Sequence, residues 1–193
     1  MSLIEAPNER EDAMLQSIEQ MDFNILNFIQ SNFKNELLDT VMPLISGLAD
    51  NGIIWIIIFA VIMLLPKYRK YGAVLFYAIL LDIIICNGIL KPLIHRIRPY
   101  DINVAVSLLI DAPKDYSFPS GHTAISFASA TALLWINKKW GSAAFVLAIL
   151  IGFSRLYLYV HFVSDVVFGA IVGILCGILG IYISKALPSA KIN

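Results

Sequence analysis

Long apolar runs separated by short polar segments dominate the chain from residue 51 onward. Crossing about 30 Å of hydrocarbon takes about 20 helical residues. Helices are favoured over strands because an open sheet edge leaves backbone groups unsatisfied in lipid. The pattern therefore predicts an all-α, polytopic membrane helix bundle with five crossings, at residues 51–66, 71–90, 116–137, 141–159 and 166–184.

The region before residue 51 is more polar and leaves two arrangements open. Between residues 12 and 36, apolar residues recur at helical spacing, which is typical of an amphipathic helix lying in the membrane interface. Residues 37–49 are apolar but short and contain Pro43 and Gly47. They either insert partly or join the upstream helix as a further crossing. We therefore predict five to six transmembrane helices with an N-terminal amphipathic helix.

The composition supports a membrane protein and excludes two other classes. Of 193 residues, 59% are hydrophobic and 15% are charged, whereas soluble domains average about 45–50% and about 25%. The 14 basic and 14 acidic residues balance, so no nucleic-acid partner is expected. Cys86 and Cys176 lie in apolar runs and suit neither a disulfide scaffold nor a zinc cluster.

No repeat or linker divides the chain, which predicts a single domain over residues 1–193. Within it, residues 1–50 form the N-terminal region, and residues 51–185 form the transmembrane catalytic core.

The distribution of basic residues predicts the orientation in the membrane. The basic clusters that flank the apolar runs are Lys67/Arg69/Lys70, Lys138/Lys139 and Lys185/Lys191. All three lie on one face if the five helices alternate in direction, and an excess of Lys and Arg marks the cytoplasmic face. Segment 91–115 and the turn at 159–164 then lie outside the cell membrane. Four basic residues on that outer face run against the trend and indicate a bound anion: Lys91, Arg96, Arg98 and Lys114.

Three polar clusters interrupt the apolar pattern, all at the predicted outer face. They are Lys91 to Pro99, Pro119-Ser120-Gly121-His122, and Ser154-Arg155 followed by His161 and Asp165. Arg supplies a planar fork that matches phosphate oxygens, and Lys supplies a compact charge. Ser120 and Gly121 stand where a helix begins, so backbone N–H groups and the helix dipole favour an anion there. Together these residues predict a phosphate cradle.

The histidines predict phosphoryl transfer at this cradle. His161 and Asp165 are four residues apart, so on a helix they share one face and can hydrogen-bond. A carboxylate that orients one ring nitrogen leaves the other free as a nucleophile. His122 is a second imidazole that can protonate a leaving oxygen. These parts suffice for a reaction through a phosphohistidine, which water then hydrolyses.

The three clusters together resemble the signature of the type 2 phosphatidic acid phosphatase superfamily. The resemblance covers Lys-x6-Arg-Pro, Pro-Ser-Gly-His and Ser-Arg-x5-His-x3-Asp, over residues 91–165. It implies that Lys91, Arg98 and Arg155 bind phosphate with Ser120 and Gly121, that His122 is the general acid, and that His161 is the nucleophile oriented by Asp165. It also implies a metal-independent lipid phosphate or diphosphate phosphatase, and we expect no cofactor and no metal site.

Several residues also have structural interpretations. Arg96 lies outside the motif, so we interpret it as a snorkelling side chain at a helix end. Asp82 lies within an apolar run, and a structural role is favoured over a catalytic one. Gly169, Gly173 and Gly177 share one helix face. That spacing predicts close helix packing inside the chain, with a homodimer interface as the alternative.

The predicted function is hydrolysis of a lipid phosphomonoester or diphosphate at the outer face of the cell membrane. Within the resembled family, undecaprenyl diphosphate is the favoured substrate. Phosphatidylglycerol phosphate and phosphatidic acid remain as alternatives, because all present the same phosphoryl group. Transfer of phosphate to another lipid, and non-hydrolytic binding or transport of a lipid phosphate, are the other hypotheses.

Overall fold

The computed structural model describes residues 9–186, and all regular secondary structure within them is helical. The α-helices are α1 Glu9–Phe33, α2 Glu36–Gly47, α3 Ile53–Leu64, α4 Gly72–Asp82, α5 Lys91–Ile94, α6 Pro99–Ile102, α7 Gly121–Ile136, α8 Lys138–Tyr157 and α9 Val163–Ala186. A π-helical segment, Ile83–Leu90, joins α4 to α5. The predicted all-α class is confirmed. The parts of the predicted domain at residues 1–8 and 187–193, with Lys191, lie outside the described residues.

The N-terminal helices differ from one of the predicted arrangements. α1 ends at Phe33, and the Asn35 side chain caps α2 by accepting a hydrogen bond from Leu38 N at 3.0 Å. Residues 37–49 therefore do not continue α1 as one helix. Instead α2 leads through a 3₁₀ turn, Asp50–Gly52, into α3 with a bend of 47°. The extended backbone at Asn35 separates α1 from α2, and the left-handed backbone at Asn51 and Gly52 makes the bend.

Three helices of the described chain are long and apolar enough to span a membrane: Arg69–Ile102, Lys138–Tyr157 and Val163–Ala186. The bent pair Glu36–Gly47 and Asp50–Leu64 makes a fourth if it is counted as one span. α7 has 16 residues, which is short for a crossing. The structure thus supports three to four candidate spans, and the count of five to six stays a prediction.

α7 lies at the centre of the bundle and packs against α8, α9 and α4. The glycines of α9 make this packing close. A Cβ atom at Gly173 would lie 2.2 Å from the carbonyl oxygen of Ala124, and one at Gly177 would lie 2.5 Å from Thr131 Cβ. The glycine face is therefore occupied by α7 within the chain, as predicted. A homodimer stays a prediction that this face does not support.

Aromatic residues bring the described residues of the three basic clusters, that is all of them except Lys191, together at one end of the bundle. The Tyr68 and Trp140 rings lie 4.6 Å apart, and Lys185 Nζ lies 5.3 Å from the centre of the Trp135 ring. α4, α7, α8 and α9 each have one terminus at this end. The first motif follows α4 after the π-helical segment, and the other termini of α7, α8 and α9 carry the second and third motifs. The described basic residues and the motifs therefore lie at opposite ends of the bundle.

Candidate active site

A cavity of about 440 Å³ lies where the three motifs converge. Five of the eight predicted site residues line it, namely Lys91, Arg98, His122, Arg155 and His161. They come from the start of α5, the residue before α6, the first turn of α7, the last turn of α8 and the turn before α9. Residues up to 70 positions apart thus surround one space, so the three motifs form one site.

Arg98 and Lys91 share a carboxylate that lies outside the three motifs. Arg98 is buried and donates from Nη2 to Asp115 Oδ1 at 2.6 Å, and Lys91 donates to Asp115 Oδ2. Partial burial alone raises the pKa of Asp115, but hydrogen bonding to Lys91 and the charges of Lys91 and Arg98 lower that pKa to about 2. Asp115 is therefore an anion at neutral pH and lies against the two cations that a phosphate would need.

Arg155 is the third cation and is buried to 2% exposure. Its Nη1 donates to Ser46 Oγ of α2, so the N-terminal helices contribute to the site. Arg155 Nε has no hydrogen-bond partner among residues 9–186. A buried guanidinium with an unused donor is costly unless an anion accepts from it, which supports a phosphate ligand in this cavity.

His161 is almost fully buried and lies between Arg98 and Asp165. Its Nε2 is 3.2 Å from Arg98 Nη1, and its Nδ1 is 3.5 Å from Asp165 Oδ2. His161 belongs to the turn before α9 and not to the helix itself, so the expected shared helix face is wrong. The pair still meets because the turn folds back, at a distance longer than an ordinary hydrogen bond of about 2.7–3.2 Å.

Burial lowers the pKa of His161 well below its usual value, and the cations Arg98, Arg155 and Lys91, with His122, lower it further. The imidazole is therefore neutral at physiological pH, which is the state that a nucleophile requires.

Two further donors position Asp165. Ser117 Oγ donates to Asp165 Oδ2, and the Phe162 backbone N–H donates to the same oxygen at 2.9 Å. Ser117 Oγ also lies 3.5 Å from His161 Nδ1. Ser117 was missed because it stands outside the motifs, although it lies only two residues before Pro119.

His122 contacts a residue of the bend between α2 and α3. Its Nε2 lies 2.7 Å from Asp50 Oδ1. Asp50 lies 72 residues before His122, so no local sequence pattern indicates the contact. A carboxylate at this distance favours the protonated form of the imidazole.

Ser120 and Gly121 are not among the residues that line this cavity. Ser120 is fully buried; its backbone N–H donates to the Asp165 carbonyl at 3.1 Å, and its hydroxyl accepts from Thr123 at 2.9 Å. Gly121 lines an adjoining cavity of about 330 Å³. A Cβ atom at Gly121 would lie 3.2 Å from Asn87 Oδ1. The Pro-Ser-Gly-His turn is thus tied directly to the third motif.

The snorkelling interpretation of Arg96 is wrong. Its Nη1 donates to Asp165 Oδ1 at 2.6 Å and its Nη2 donates to Asp22 Oδ2 at 2.8 Å. The guanidinium also lies 4.0 Å from the centre of the Phe162 ring. The partner carboxylate belongs to α1, 74 residues earlier, so no local sequence pattern could indicate the contact.

Asp82 lies on the wall of the adjoining cavity and is fully buried. Neither of its carboxylate oxygens has a hydrogen-bond partner within residues 9–186. In the same part of the chain, no group of three or more His, Cys, Asp and Glu residues is arranged to hold a metal ion.

The fold and the cavity together indicate a helical membrane protein of the phosphatase class. Its cavity holds two histidines and three cations, which are the groups that phosphoryl transfer needs. Residues 71–188 match the model of the PAP2 superfamily, and the chain belongs to that superfamily. The enzyme class that the motifs predict, a membrane lipid phosphatase, is confirmed at this level.

Known proteins resemble the chain over most of its length. The undecaprenyl-diphosphatase of Sulfolobus acidocaldarius is 29% identical over 178 residues, covering 91% of this chain and 85% of the relative. The crystal structure of Aquifex aeolicus LpxE has a TM-score of 0.72 and 30% identity, covering 84% of this chain and 95% of that one. The PAP2-type phosphatidylglycerolphosphate phosphatase of Bacillus subtilis also has a TM-score of 0.72, with 25% identity over 91% of this chain and 90% of that one.

Proposed function

We propose that the protein hydrolyses a phosphomonoester or diphosphate of a membrane lipid through a phosphohistidine intermediate. The observation that carries the proposal is the single cavity lined by two histidines and three cations, with a neutral, buried His161 in contact with Asp165. Membership of the PAP2 superfamily supports the reaction class.

In the proposed first step, His161 Nε2 attacks the terminal phosphorus and a P–N bond forms as the bond from that phosphorus to the leaving oxygen breaks. The leaving oxygen belongs to the lipid alcohol of a phosphomonoester or to the inner phosphate of a diphosphate. His122, which is held by Asp50, gives its proton to the leaving oxygen. In the second step, water attacks the phosphohistidine and passes a proton back to His122 as the P–N bond breaks. The products are inorganic phosphate and either the lipid alcohol, from a phosphomonoester, or the lipid monophosphate, from a diphosphate. The enzyme returns to its starting state.

The cations stabilise the charge of the transferred group in both steps. Arg98 and Arg155 are buried, and Lys91 is 8% exposed, so their attraction for phosphate is little screened by water. We assign Ser120 and Gly121 to the same cradle, as the motif implies. Ser120 keeps its hydroxyl proton available because it accepts from Thr123. No step requires a metal ion.

We further propose that the cavity opens at the outer face of the cell membrane, in a single domain of five to six transmembrane helices with an N-terminal amphipathic helix. The three basic clusters at the opposite end of the bundle support this orientation, because Lys and Arg concentrate on the cytoplasmic side. Exposed apolar side chains along α1, such as Met14, Leu15 and Phe28, support its contact with lipid.

We propose undecaprenyl diphosphate as the favoured substrate. The undecaprenyl-diphosphatase of Sulfolobus acidocaldarius, similar over 91% of the chain, supports this choice. Phosphatidylglycerol phosphate is the second candidate, supported by the fold of the Bacillus subtilis enzyme, and phosphatidic acid is the third. Phosphotransfer to a second lipid shares the first chemical step and differs in the acceptor. Non-hydrolytic binding or transport of a lipid phosphate predicts that no phosphate is released.

The test is phosphate release by the purified protein in detergent, with EDTA, from each of the three lipids. We expect release from at least one lipid, and loss of at least about 1,000-fold in kcat for His161→Ala. His95→Ala is the matched control, since this third histidine packs on Tyr116 and should leave the rate nearly unchanged. If none of the three lipids is hydrolysed, the hydrolase proposal fails and the binding alternative gains support.

A further inference from the structure

The two oxygens of the Asp165 carboxylate have different partners. Oδ2 faces His161 and accepts from Ser117 and the Phe162 backbone. Oδ1 accepts from Arg96 Nη1 at 2.6 Å. Asp165 is completely buried, so its negative charge is compensated by Arg96 and by these hydrogen bonds and not by water.

Arg96 is itself held by the first helix of the chain. Its Nη2 donates to Asp22 Oδ2 at 2.8 Å, and its Nη1 also donates to Ser164 Oγ at 2.7 Å. Asp22 is 1% exposed and accepts from the Ser164 backbone N–H at 2.8 Å and from the Ser164 hydroxyl. The guanidinium therefore bridges two buried carboxylates, one on α1 and one on α9.

We propose that Arg96 and Asp22 are positioning residues for the Asp165–His161 pair, so that α1 is part of the catalytic machinery. The proposal rests on the proposed function, because it assigns the role of these residues through His161. Arg96 fixes the rotation of the Asp165 carboxylate, which keeps Oδ2 directed at His161 Nδ1 and Nε2 directed into the cavity. Asp22 fixes Arg96 in turn.

The bridge also sets the charge that Asp165 presents to the imidazole. Removing the Arg96 cation leaves the full negative charge of Asp165 facing His161, which favours the protonated ring. The other charged groups around His161, namely Arg98, Arg155, Lys91 and His122, belong to other elements and are unchanged by this substitution. The acid limb of kcat/KM should therefore move to higher pH when the charge at position 96 is lost.

The variants are Arg96→Gln, Arg96→Lys and Asp22→Asn, assayed with a lipid phosphate that the wild-type protein hydrolyses. We expect Arg96→Gln to lower kcat about 10- to 100-fold, a range typical of residues that orient a catalytic side chain, with KM changed less than about twofold. Its acid limb should move to higher pH, whereas Arg96→Lys should keep the limb near the wild-type position. Asp22→Asn should lower kcat by less, and adding it to Arg96→Gln should cost almost nothing further.

Gln30→Ala is the matched control for loosening of α1. Gln30 Nε2 donates to the Tyr157 carbonyl at 2.7 Å, so this variant removes one contact of α1 with the bundle without touching Arg96. Gel filtration and thermal unfolding in detergent check that each variant is folded. If Arg96→Gln does not fold, the kcat and pH profile of Asp22→Asn and Arg96→Lys are compared with those of Gln30→Ala instead.

Two results would overturn this positioning proposal without affecting the proposed function. The first is that Arg96→Gln keeps the wild-type kcat and pH profile, or that Asp22→Asn does so where Arg96→Gln does not fold. The second is that Gln30→Ala loses as much kcat as the Arg96 or Asp22 variant. Both leave the proposed function intact, because His161→Ala still abolishes turnover. A wild-type protein that releases no phosphate from any lipid overturns the proposed function, and the positioning roles with it.

Discussion

Asp115 holds its carboxylate against two of the three cations that line the cavity, Lys91 and Arg98. An incoming phosphate needs the same two cations and must first break both ion pairs. We therefore predict that Asp115→Asn strengthens the binding of inorganic phosphate, the product of the reaction. Because the pKa of Asp115 is about 2, the substitution removes a full negative charge at any pH used for assay.

The expected size of the effect follows from the exposure of the carboxylate. The Asp115 side chain is 55% exposed, so solvent screens both pairs although Lys91 and Arg98 are buried. Screened pairs of this kind contribute about 0.5–1 kcal/mol each. Two pairs then give about 1–2 kcal/mol, which corresponds to a decrease in Ki for phosphate of roughly 5- to 30-fold.

The assay is competitive inhibition by inorganic phosphate, with the dephosphorylated lipid measured by chromatography. Asp111→Asn is the matched control, because Asp111 lines the same cavity but makes no ion pair among the described residues. It should change Ki less than about twofold. An unchanged or higher Ki in Asp115→Asn would refute the reasoning, and an equal decrease in both variants would indicate only a general field effect.

Further predictions concern the histidines, the helix packing and metal dependence. Because the pKa of His161 is lowered, its neutral form persists in acid, and the acid limb of kcat/KM should lie below pH 6.5 in a pH–rate profile. The unfolded chain protonates this histidine below about pH 6.5 while the buried ring stays neutral, so the free energy of unfolding should fall as pH decreases; denaturant titrations at pH 7 and pH 5 check this. Asp50→Asn should lower kcat about tenfold at neutral pH by destabilising protonated His122, and an unchanged rate would contradict that role. Gly173→Ala should destabilise the protein by about 1–3 kcal/mol, measured by thermal unfolding in detergent, because its Cβ would meet the Ala124 carbonyl. EDTA should leave the rate of phosphate release unchanged.

The motif residues could be predicted from the sequence because residues that act together lie close to one another in the chain. Short spacings join Ser120 to His122 and His161 to Asp165, and the apolar runs around them restrict which end of the bundle they occupy. The structure adds that one cavity is lined by Lys91, Arg98 and Arg155.

The supporting residues could not be predicted, because their partners are distant in sequence. Asp22 lies 74 residues before Arg96, and Asp50 lies 72 residues before His122. Both belong to the N-terminal region, whose hydrophobic pattern indicates contact with lipid but carries no information on which polar residue faces the site. Arg96 was misinterpreted for the same reason, since a lone arginine at a helix end usually reaches for water.

The close contact between α7 and α9 restricts where the chain can change length. Each residue inserted between Asp165 and Gly177 would rotate the rest of α9 by about 100° and separate either the Asp165 backbone carbonyl from Ser120 or the glycines from α7. The segment at residues 103–114 forms no helix and contributes Ile110, Asp111 and Pro113 to the cavity wall. Insertions there would reshape the entrance without turning any helix. Engineering of substrate preference should therefore vary the length of this loop and keep the number of residues in α9 constant.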